Sequence, residues 1–272
     1  MQNKIKELNL FFEKLCSKDI IVAFSGGVDS TLVLKLALEA SKKYQTKVYA
    51  LTIQTSLHPM NELSESKKLA KDLGVTEHLV LTVNELTNSK ILTNPIDRCY
   101  QCKKFIFTKA LDFAQNLNIR TIVDGTNEDD MHLYRPGIKA LNELGIISPL
   151  ALTHTTKQEV RAVASHYGLS VASKPSAPCL ATRFPYDTNI SIDDLKKVGL
   201  AEEYLKKLGF NDLRVRIHGN IARIEVPIDA FSSVLEKREE IITILKNIGY
   251  TYVTLDLGGI KSGSMDIEIL RK

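Results

Sequence analysis

The stretch Ser25-Gly26-Gly27-Val28-Asp29-Ser30 decides how the rest of the chain is organised. An apolar run at residues 20–24 precedes it, and residues 31–40, which follow it, have helical periodicity. A strand, a glycine turn and a helix start predict an anion site, because glycines let the backbone approach a phosphate closely. The N-terminal end of the following helix then offers unpaired N–H groups and the positive end of its dipole.

Polar side chains in the same stretch strengthen the phosphate interpretation. Ser25, Ser30 and Thr31 add hydroxyl donors, and Asp29 suits either a Mg²⁺ ion or a role in fixing the turn. The simpler alternative is an ordinary strand-to-helix turn with a serine cap. Serine on both sides of the glycine pair, together with the aspartate, favours a nucleotide site.

The spacing of this glycine loop narrows the kind of nucleotide site. A Walker-type loop needs a longer glycine spacing and a Gly-Lys-Ser/Thr ending, and the dinucleotide fingerprint is also absent. The stretch resembles the pyrophosphate loop of the ATP pyrophosphatase (PP-loop) superfamily. Members of that superfamily split ATP into AMP and pyrophosphate in order to adenylate a substrate.

The composition is that of an ordinary globular protein. Of the 272 residues, 44% are hydrophobic and 25% are charged, with a formal net charge of +4. No apolar run reaches the roughly 18 residues that cross a bilayer, and no signal-peptide pattern opens the chain. We therefore expect a cytoplasmic protein without a membrane partner. The small positive charge is compatible with phosphorylated ligands and does not require nucleic acid.

Strands and helices alternate through the first two thirds of the chain. Apolar patterns predict strands at residues 20–24, 47–53, 78–83, 121–123 and 146–150, and helices at 4–15, 31–40, 61–73, near 105–114 and at 156–167. This order predicts an α/β fold with a doubly wound parallel sheet. A helix–strand–strand–helix–strand order then predicts a small C-terminal α+β domain, with strands at 213–217, 221–226 and 252–257 and a helix at 230–248.

The Pro- and Ser-containing stretch at residues 174–179 marks the linker between the two parts. We therefore expect a PP-loop domain over residues 1–175. Residues 186–272 then form a second domain that binds substrate or forms the contacts of a homo-oligomer.

The cysteines are more informative by position than by number. Cys99 and Cys102 form a CxxC ahead of a predicted helix, and Cys179 lies in the linker. Cys16 ends an amphipathic helix and is expected to pack as a small hydrophobe. A CxxC with one further cysteine suits a 4Fe-4S cluster with one iron left open. Zinc with a histidine ligand, or thiols that bind no metal, remain alternatives.

Arginines recur near the linker and in the C-terminal domain. Arg214 and Arg216 alternate along a predicted strand and therefore point to one face. Paired guanidinium groups suit a phosphate ligand. The alternative is a solvated sheet face in which Arg223 and Glu225 form a cross-strand ion pair.

Taken together, the motifs resemble the LarE family of ATP-dependent sulfur transferases. The resemblance spans nearly the whole chain and rests on the glycine loop followed in order by Asp124-Gly125-Thr126-Asn127, Arg135-Pro136-Gly137, Cys179-Leu180-Ala181-Thr182-Arg183 and Arg214-Val215-Arg216. It implies that ATP adenylates a carboxylate of pyridinium-3,5-biscarboxylic acid mononucleotide with release of pyrophosphate. Sulfur then displaces AMP to give a thiocarboxylate on the way to the nickel-pincer nucleotide.

The resemblance also implies roles for individual residues. Those expected at ATP and its pyrophosphate, with Mg²⁺, are Ser25, Gly26, Gly27, Asp29, Ser30, Thr52, Gly125 and Thr126. The substrate phosphate is expected at Arg183, Arg214 and Arg216. In the better-known form of the family, the cysteine that matches Cys179 gives up its own sulfur and becomes dehydroalanine.

This chain departs from that form because Cys99 and Cys102 are added. The addition resembles a branch in which three cysteines hold a 4Fe-4S cluster whose open iron carries sulfide. We therefore expect repeated turnover rather than loss of sulfur from Cys179. Rival interpretations are a cluster-dependent tRNA thiolase, an ammonia-dependent amide synthetase such as NAD synthetase, and a non-catalytic nucleotide-binding or iron-sensing protein.

Overall fold

The computed structural model describes residues 1–59, 62–133, 135–175 and 178–261. Within these ranges the chain divides into two compact units. The first comprises the described residues of segments 1–55, 60–85 and 99–177, and the second those of segments 56–59, 86–98 and 178–272. No helix in the described ranges is both long and apolar enough to cross a membrane.

The secondary structure follows the predicted alternation closely. The helices and strands are, in chain order, α1 (Gln2–Leu15), β1 (Ile20–Ala23), α2 (Val28–Tyr44), β2 (Val48–Thr55), α3 (Glu62–Asp72), β3 (Glu77–Val83), α4 (Ser89–Leu92), α5 (Arg98–Asn116), β4 (Ile122–Val123), α6 (Glu128–Met131), α7 (Pro136–Glu143), α8 (Pro149–Leu152), α9 (Lys157–His166), α10 (Ile192–Lys207), β5 (Arg214–His218), β6 (Ile221–Glu225), α11 (Phe231–Glu236), α12 (Arg238–Ile248) and β7 (Tyr252–Leu255).

The first unit is built on a parallel sheet in the order β3-β2-β1-β4. Its core lies on both faces, because successive side chains of a strand point to opposite sides. Ile20 and Val22 of β1 belong to a cluster formed with α1, α2 and α9, whereas Ile21 belongs to a second cluster formed with α5. The predicted doubly wound α/β fold is confirmed.

The prediction of a fifth strand in this sheet, at residues 146–150, is wrong. Only Ile147 pairs with the sheet, through a single parallel bridge to Val123, and Pro149 begins the short helix α8. Proline has no N–H to give to a strand ladder, whereas the first position of a helix does not need one. The bridge at Ile147 is therefore followed by a helical turn.

The second unit holds a three-stranded sheet in the order β5-β6-β7. β5 and β6 are antiparallel, and β6 and β7 are parallel. The single helix expected at residues 230–248 is instead α11 and α12, which meet at Lys237. The ammonium group of Lys237 donates to the carbonyl of Leu208 at 2.7 Å, a tertiary contact that apolar periodicity does not reveal.

Residues 135–137, expected as a loop, lead directly into helix α7. Pro136 is the first residue of that helix, where its fixed backbone torsion suits the first turn. Gly137 follows it at a close approach to α5, since a Cβ on Gly137 would lie 3.3 Å from the carbonyl oxygen of Cys99.

Candidate functional site

The glycine loop joins β1 to α2, as the sequence predicts. Gly26 has φ +73°, a backbone conformation that favours glycine, and Gly27 is the N-cap of α2. The hydroxyl oxygens of Ser25 and Ser30 lie 3.2 Å apart. The hydroxyl of Thr31 donates to the carbonyl of Gly27 at 2.7 Å. The loop thus presents the N-terminal end of a 17-residue helix, with hydroxyl groups of Ser25 and Ser30 beside it.

A second glycine, Gly125, lies against this helix start from the end of β4. A Cβ on Gly125 would lie 2.8 Å from the backbone nitrogen of Ser30 and 3.1 Å from the carbonyl carbon of Asp29. The first distance is shorter than real Cβ contacts and the second is tighter than most of them, and both neighbours are backbone atoms that cannot rotate away. Residue 125 must therefore be glycine for the two segments to approach.

The carboxylate of Asp29 is held by two side chains from distant parts of the chain. Lys157 Nζ lies 2.5 Å from one oxygen, and Asn127 Nδ2 donates to the other at 3.1 Å. Asn127 is itself fixed as the N-cap of α6, in a capping box with Asp130. The first unit thus brings a lysine ammonium group to the second residue of the loop helix.

Asp124, at the end of β4, is a buried carboxylate with two hydroxyl donors. Thr126 donates to one of its oxygens at 2.5 Å and Ser148 to the other at 2.6 Å. The side chain of Thr126 is therefore held by Asp124 in this structure. Asp124 is a candidate Mg²⁺ ligand that the sequence interpretation did not single out, although it stands where ligand contacts gather at the end of a parallel strand.

Thr52, expected near adenosine, is a buried residue of β2. Its hydroxyl lies 2.9 Å from the carbonyl oxygen of Phe24 and 2.8 Å from Nε2 of His78. Burial lowers the pKa of His78, and the nearby Lys67 lowers it further. These contacts hold Phe24, the residue before the glycine loop, to the neighbouring strands.

The four cysteines differ in burial. Cys16 is completely buried, and burial raises the pKa of its thiol to about 12, so the prediction of a small packed hydrophobe is confirmed. Cys99 and Cys102, both partly exposed, stand one turn apart at the start of α5 and share one side of that helix. None of the four is in a disulfide.

Cys179 lies in the second unit at the N-cap of a short 3₁₀ helix, Leu180–Arg183. Its Sγ atom is 3.9 Å from Nη2 of the buried Arg98, a cation that complements negative charge on sulfur. Arg98 also donates to Asn94, and the backbone N–H of Leu180 donates to the carbonyl of Leu57 at 2.7 Å. The segment that carries Cys179 is therefore anchored at its backbone and at its sulfur.

Arg183 is a buried residue whose N–H groups are largely taken up within the protein. It forms a two-point ion pair with Glu202, at 2.8 and 2.9 Å, and it donates to the carbonyl of Pro178 at 3.1 Å. Glu202 also accepts the backbone N–H of Val215 at 2.9 Å. Arg183 and Glu202 thus tie the Cys179 segment to β5.

Arg214 and Arg216 share one face of β5, as predicted, but that face is not solvated. Arg216 is buried and donates to a carboxylate oxygen of the fully buried Glu225 at 3.1 Å. Arg223 donates to the other oxygen of Glu225 at 3.0 Å. Arg223 and Glu225 lie on the same strand, so their ion pair is not the cross-strand pair of the alternative interpretation. Burial lowers the pKa of Arg214, and the like charge of Arg183 lowers it further. The guanidinium groups are therefore crowded together.

Comparison with known proteins gives matches along nearly the whole chain. The sequence model of the family described as queuosine biosynthesis protein QueC matches residues 19–181, more than half of the chain. The pyridinium-3,5-bisthiocarboxylic acid mononucleotide synthase of Lactiplantibacillus plantarum is 38% identical over 247 residues, which cover 91% of this chain and 88% of the relative. The chain belongs to the LarE family of the PP-loop superfamily.

Two further relatives match this chain over nearly its whole length. An uncharacterized protein of Synechocystis is 39% identical over 98% of both chains, and one of Methanocaldococcus jannaschii is 34% identical over 94% of this chain and 96% of the relative. PP-loop proteins use ATP with Mg²⁺, and the matched residues 19–181 of this LarE-family member include the glycine loop.

The sequence interpretation of the LarE family motifs missed several partners of the predicted site residues. Lys157, Asn127, Arg98 and Glu202 each contact a predicted site residue from a distant position in sequence. For Lys157 the only local signal was a helix cap. Within the described ranges, no group of three or more His, Cys, Asp and Glu side chains is arranged to hold a metal ion.

Proposed function

We propose that this protein is an ATP-dependent sulfur transferase that converts the carboxylates of pyridinium-3,5-biscarboxylic acid mononucleotide into thiocarboxylates. The observation that carries the proposal is the 38% identity, along 91% of the chain, to a synthase of the bisthiocarboxylic acid mononucleotide. The PP-loop fold of the first unit supplies the ATP chemistry that such a reaction needs.

The reaction proceeds in two displacements. A substrate carboxylate oxygen attacks the α-phosphorus of ATP, and the bond to the bridging oxygen of pyrophosphate breaks. Sulfide then attacks the carboxyl carbon of the acyl-adenylate, the carbon–oxygen bond to AMP breaks, and the sulfide proton passes to solvent. Each thiocarboxylate therefore consumes one ATP and releases one AMP and one pyrophosphate.

The loop residues act on the leaving pyrophosphate. Gly26 and Gly27 admit the phosphates to the N-terminal N–H groups of α2, and Ser25 and Ser30 add hydroxyl donors, which stabilises charge developing on the leaving group. Asp29 and Asp124 provide carboxylate oxygens, the ligand type that Mg²⁺ prefers. We further assign Gly125 and Thr126 to the pyrophosphate and Thr52 to the adenosine.

The two parts of the chain divide the work in this proposal. Residues 1–175 carry out adenylation in the cytoplasm, and residues 186–272 bind the substrate or form the contacts of a homo-oligomer. The substrate phosphate is assigned to Arg214 and Arg216, with Arg183 holding the Cys179 segment beside them. Crowded guanidinium groups favour an anion, because it relieves both their repulsion and the cost of their burial.

Replacement of Arg214 by alanine is expected to weaken binding of the mononucleotide by about 1–3 kcal/mol, the scale of a charge-assisted hydrogen bond. Binding of ATP should stay nearly unchanged. Isothermal titration calorimetry with each ligand measures both effects. Arg238→Ala, at an exposed arginine of α12, is the matched control. An equal loss of affinity for ATP would place Arg214 at the nucleotide instead.

The cysteines suit a 4Fe-4S cluster by the chemistry of their side chains. Cys99, Cys102 and Cys179 are partly exposed thiols outside any disulfide, and the first two share one side of a helical turn. We propose that these three residues hold the cluster. When bound, a cluster with one open iron supplies a site that keeps sulfide deprotonated at neutral pH.

Alanine replacement of Cys99, Cys102 or Cys179 is expected to abolish the brown colour and the bound iron after anaerobic reconstitution. Cys16→Ala should keep both, because the Cys16 thiol is enclosed in the core of the first unit. Iron and sulfide analysis with the visible absorption spectrum measures the outcome. A colourless wild-type protein that contains stoichiometric zinc would contradict the cluster.

The proposed function is tested with the purified protein under anaerobic conditions. ATP, Mg²⁺, the pyridinium biscarboxylic acid mononucleotide and sulfide should yield AMP, pyrophosphate and more than one thiocarboxylate per chain, with Cys179 intact by mass spectrometry. Liquid chromatography with mass detection follows the products. Release of pyrophosphate only with tRNA, or only with ammonia and a different carboxylate, would overturn the proposed substrate and reaction.

A further inference from the structure

Arg98 is a buried cation in contact with the sulfur of Cys179, and it takes no part in the two displacements. Its side chain belongs to a residue that is only 3% exposed. Burial of a charge is costly unless the charge is satisfied, so a buried arginine is held where its contacts are defined. One of those contacts runs from Nη2 of Arg98 to Sγ of Cys179, at 3.9 Å, within reach of an N–H···S interaction.

The guanidinium group of Arg98 is held in this direction by Asn94. Nη1 of Arg98 donates to the side-chain carbonyl of Asn94. Asn94 is completely buried, and its Nδ2 donates to the carbonyls of Phe184 and Pro185 at 3.2 and 2.6 Å. Asn94 cannot turn without breaking these buried hydrogen bonds, so Nη2 of Arg98 stays directed at the sulfur.

The backbone of Cys179 is fixed as well. Its carbonyl accepts the hydroxyl of Thr182 at 2.8 Å and the backbone N–H of the same residue at 3.1 Å. The next residue, Leu180, donates its N–H to the carbonyl of Leu57. All of these residues lie in the second unit. The side-chain torsion of Cys179 is then the remaining freedom, and the contact with Arg98 restricts it.

We propose that Arg98 is a positioning residue for sulfur, which holds Sγ of Cys179 in one direction and places a positive charge beside it. The charge stabilises negative charge on that sulfur and favours anionic sulfur compounds, such as hydrosulfide, over neutral ones. This inference rests on the proposed role of Cys179, and it adds a residue outside the three cysteines that directs one of their sulfur atoms.

Thiol–disulfide exchange at Cys179 tests the proposal without ATP, substrate or iron. In a metal-free Cys99→Ser/Cys102→Ser protein, Cys179 is the remaining partly exposed thiol, because Cys16 is completely buried. Rate constants are measured at one pH for an anionic reagent, dithiobis(nitrobenzoate), and a neutral one, dithiodipyridine. Both reagents react with the same thiolate, so the ratio of their rate constants reports the local charge and not the ionised fraction.

Arg98→Gln should lower the ratio of anionic to neutral rate constants about 5- to 10-fold, because the attraction of one nearby positive charge is lost. Arg98→Lys, which keeps the charge, should retain most of the ratio. Circular dichroism checks that each variant folds, and Arg98→Met, which is also neutral, repeats the test if the glutamine variant does not fold.

The reduction potential of the reconstituted cluster gives a second readout in the protein with all its cysteines. Hydrogen bonds to ligating sulfur and nearby positive charge favour the reduced cluster. Arg98→Gln should therefore shift the potential to a more negative value, and Arg98→Lys should shift it less. Anaerobic redox titration followed by visible absorption measures both shifts.

The matched control is Arg161→Gln. Arg161 is a partly buried arginine whose guanidinium group donates to the backbone carbonyls of Ala172 and Lys174, at 2.6 and 3.0 Å, rather than to sulfur. Its replacement removes one positive charge and two internal hydrogen bonds, as the Arg98 variant does in kind. The reagent ratio and the potential of this control should match those of the wild type.

The outcomes separate the inference from the proposed function. An unchanged reagent ratio in a folded Arg98→Gln protein would overturn the assignment of Arg98. Equal changes in the Arg98 and Arg161 variants would show that Arg98 merely supports the fold. A wild-type protein that binds no iron, but whose reagent ratio depends on Arg98, would overturn the cluster and leave the role of Arg98 in place.

Discussion

Replacement of Gly125 by alanine is expected to reduce ATP-dependent pyrophosphate release by about 100-fold or more, the scale of an ångström-sized displacement at a reacting group. The new methyl group would lie 2.8 Å from the backbone nitrogen of Ser30 and 3.1 Å from the Cβ of Asp29. Relief of that overlap requires the start of α2 to move, and with it the N–H groups that receive the phosphates. A coupled pyrophosphate assay measures the loss.

The control for this variant is Gly168→Ala in the same unit. Gly168 has φ +65°, and the position that a methyl group would take there has no tertiary neighbour within 4 Å. Alanine at this position therefore strains the backbone by about 1 kcal/mol but leaves the loop undisturbed. Pyrophosphate release by this control should match that of the wild type. If Gly125→Ala folds and turns over at the wild-type rate, the close approach of β4 to the loop helix has no role in catalysis.

The strands of the sheet and the burial of both its faces were predictable because buried positions form a regular pattern of apolar residues in the sequence. The run at residues 20–24 is apolar throughout, as a strand covered on both faces must be, and the structure divides Ile20 and Ile21 between opposite cores. The capping box at Thr156 and Glu159 likewise located the start of α9. Each of these signals is local, so the sequence alone carries it.

The two errors in the predicted elements have different causes, one local and one distant in sequence. Residues 146–150 have the composition of a strand, yet Pro149 turns the chain into a helix after a single bridge at Ile147. The helix expected over residues 230–248 is interrupted at Lys237, whose side chain is engaged by Leu208. Neither the bridge nor the lysine contact has a periodic signature.

The candidate site likewise contains residues that the sequence predicted and residues that it did not. The loop from Ser25 to Ser30 was recognisable from its spacing, whereas the partner of Asp29, Lys157, was not, because nothing in its own neighbourhood refers to the loop. Arg214 and Arg216 were predicted on one face, but the burial of Arg183 and Arg216 was not predicted. The carboxylates that permit this burial, Glu202 and Glu225, have no local spacing that distinguishes them from surface acids.

Replacement of Arg216 by alanine is expected to lower the free energy of unfolding of the second unit by about 3–5 kcal/mol, the usual cost of removing one partner from a buried ion pair. Glu225 has no exposed surface, and Arg216 is only 5% exposed. Without Arg216, the carboxylate keeps Arg223 but loses a 3.1 Å bond, and the carbonyl of Thr182 loses a donor at 2.6 Å. Urea denaturation followed by circular dichroism measures the change.

Two further variants determine whether burial causes this loss. Lys207→Ala removes an exposed lysine that pairs with Glu203 at 2.8 Å, and it should cost about 0.5 kcal/mol or less, since water solvates both charges. The double variant Arg216→Met/Glu225→Leu should recover much of the stability, because an apolar pair carries no desolvation penalty. A loss below about 1 kcal/mol for Arg216→Ala, or no recovery in the double variant, would show that water reaches Glu225 and that the pair is not enclosed.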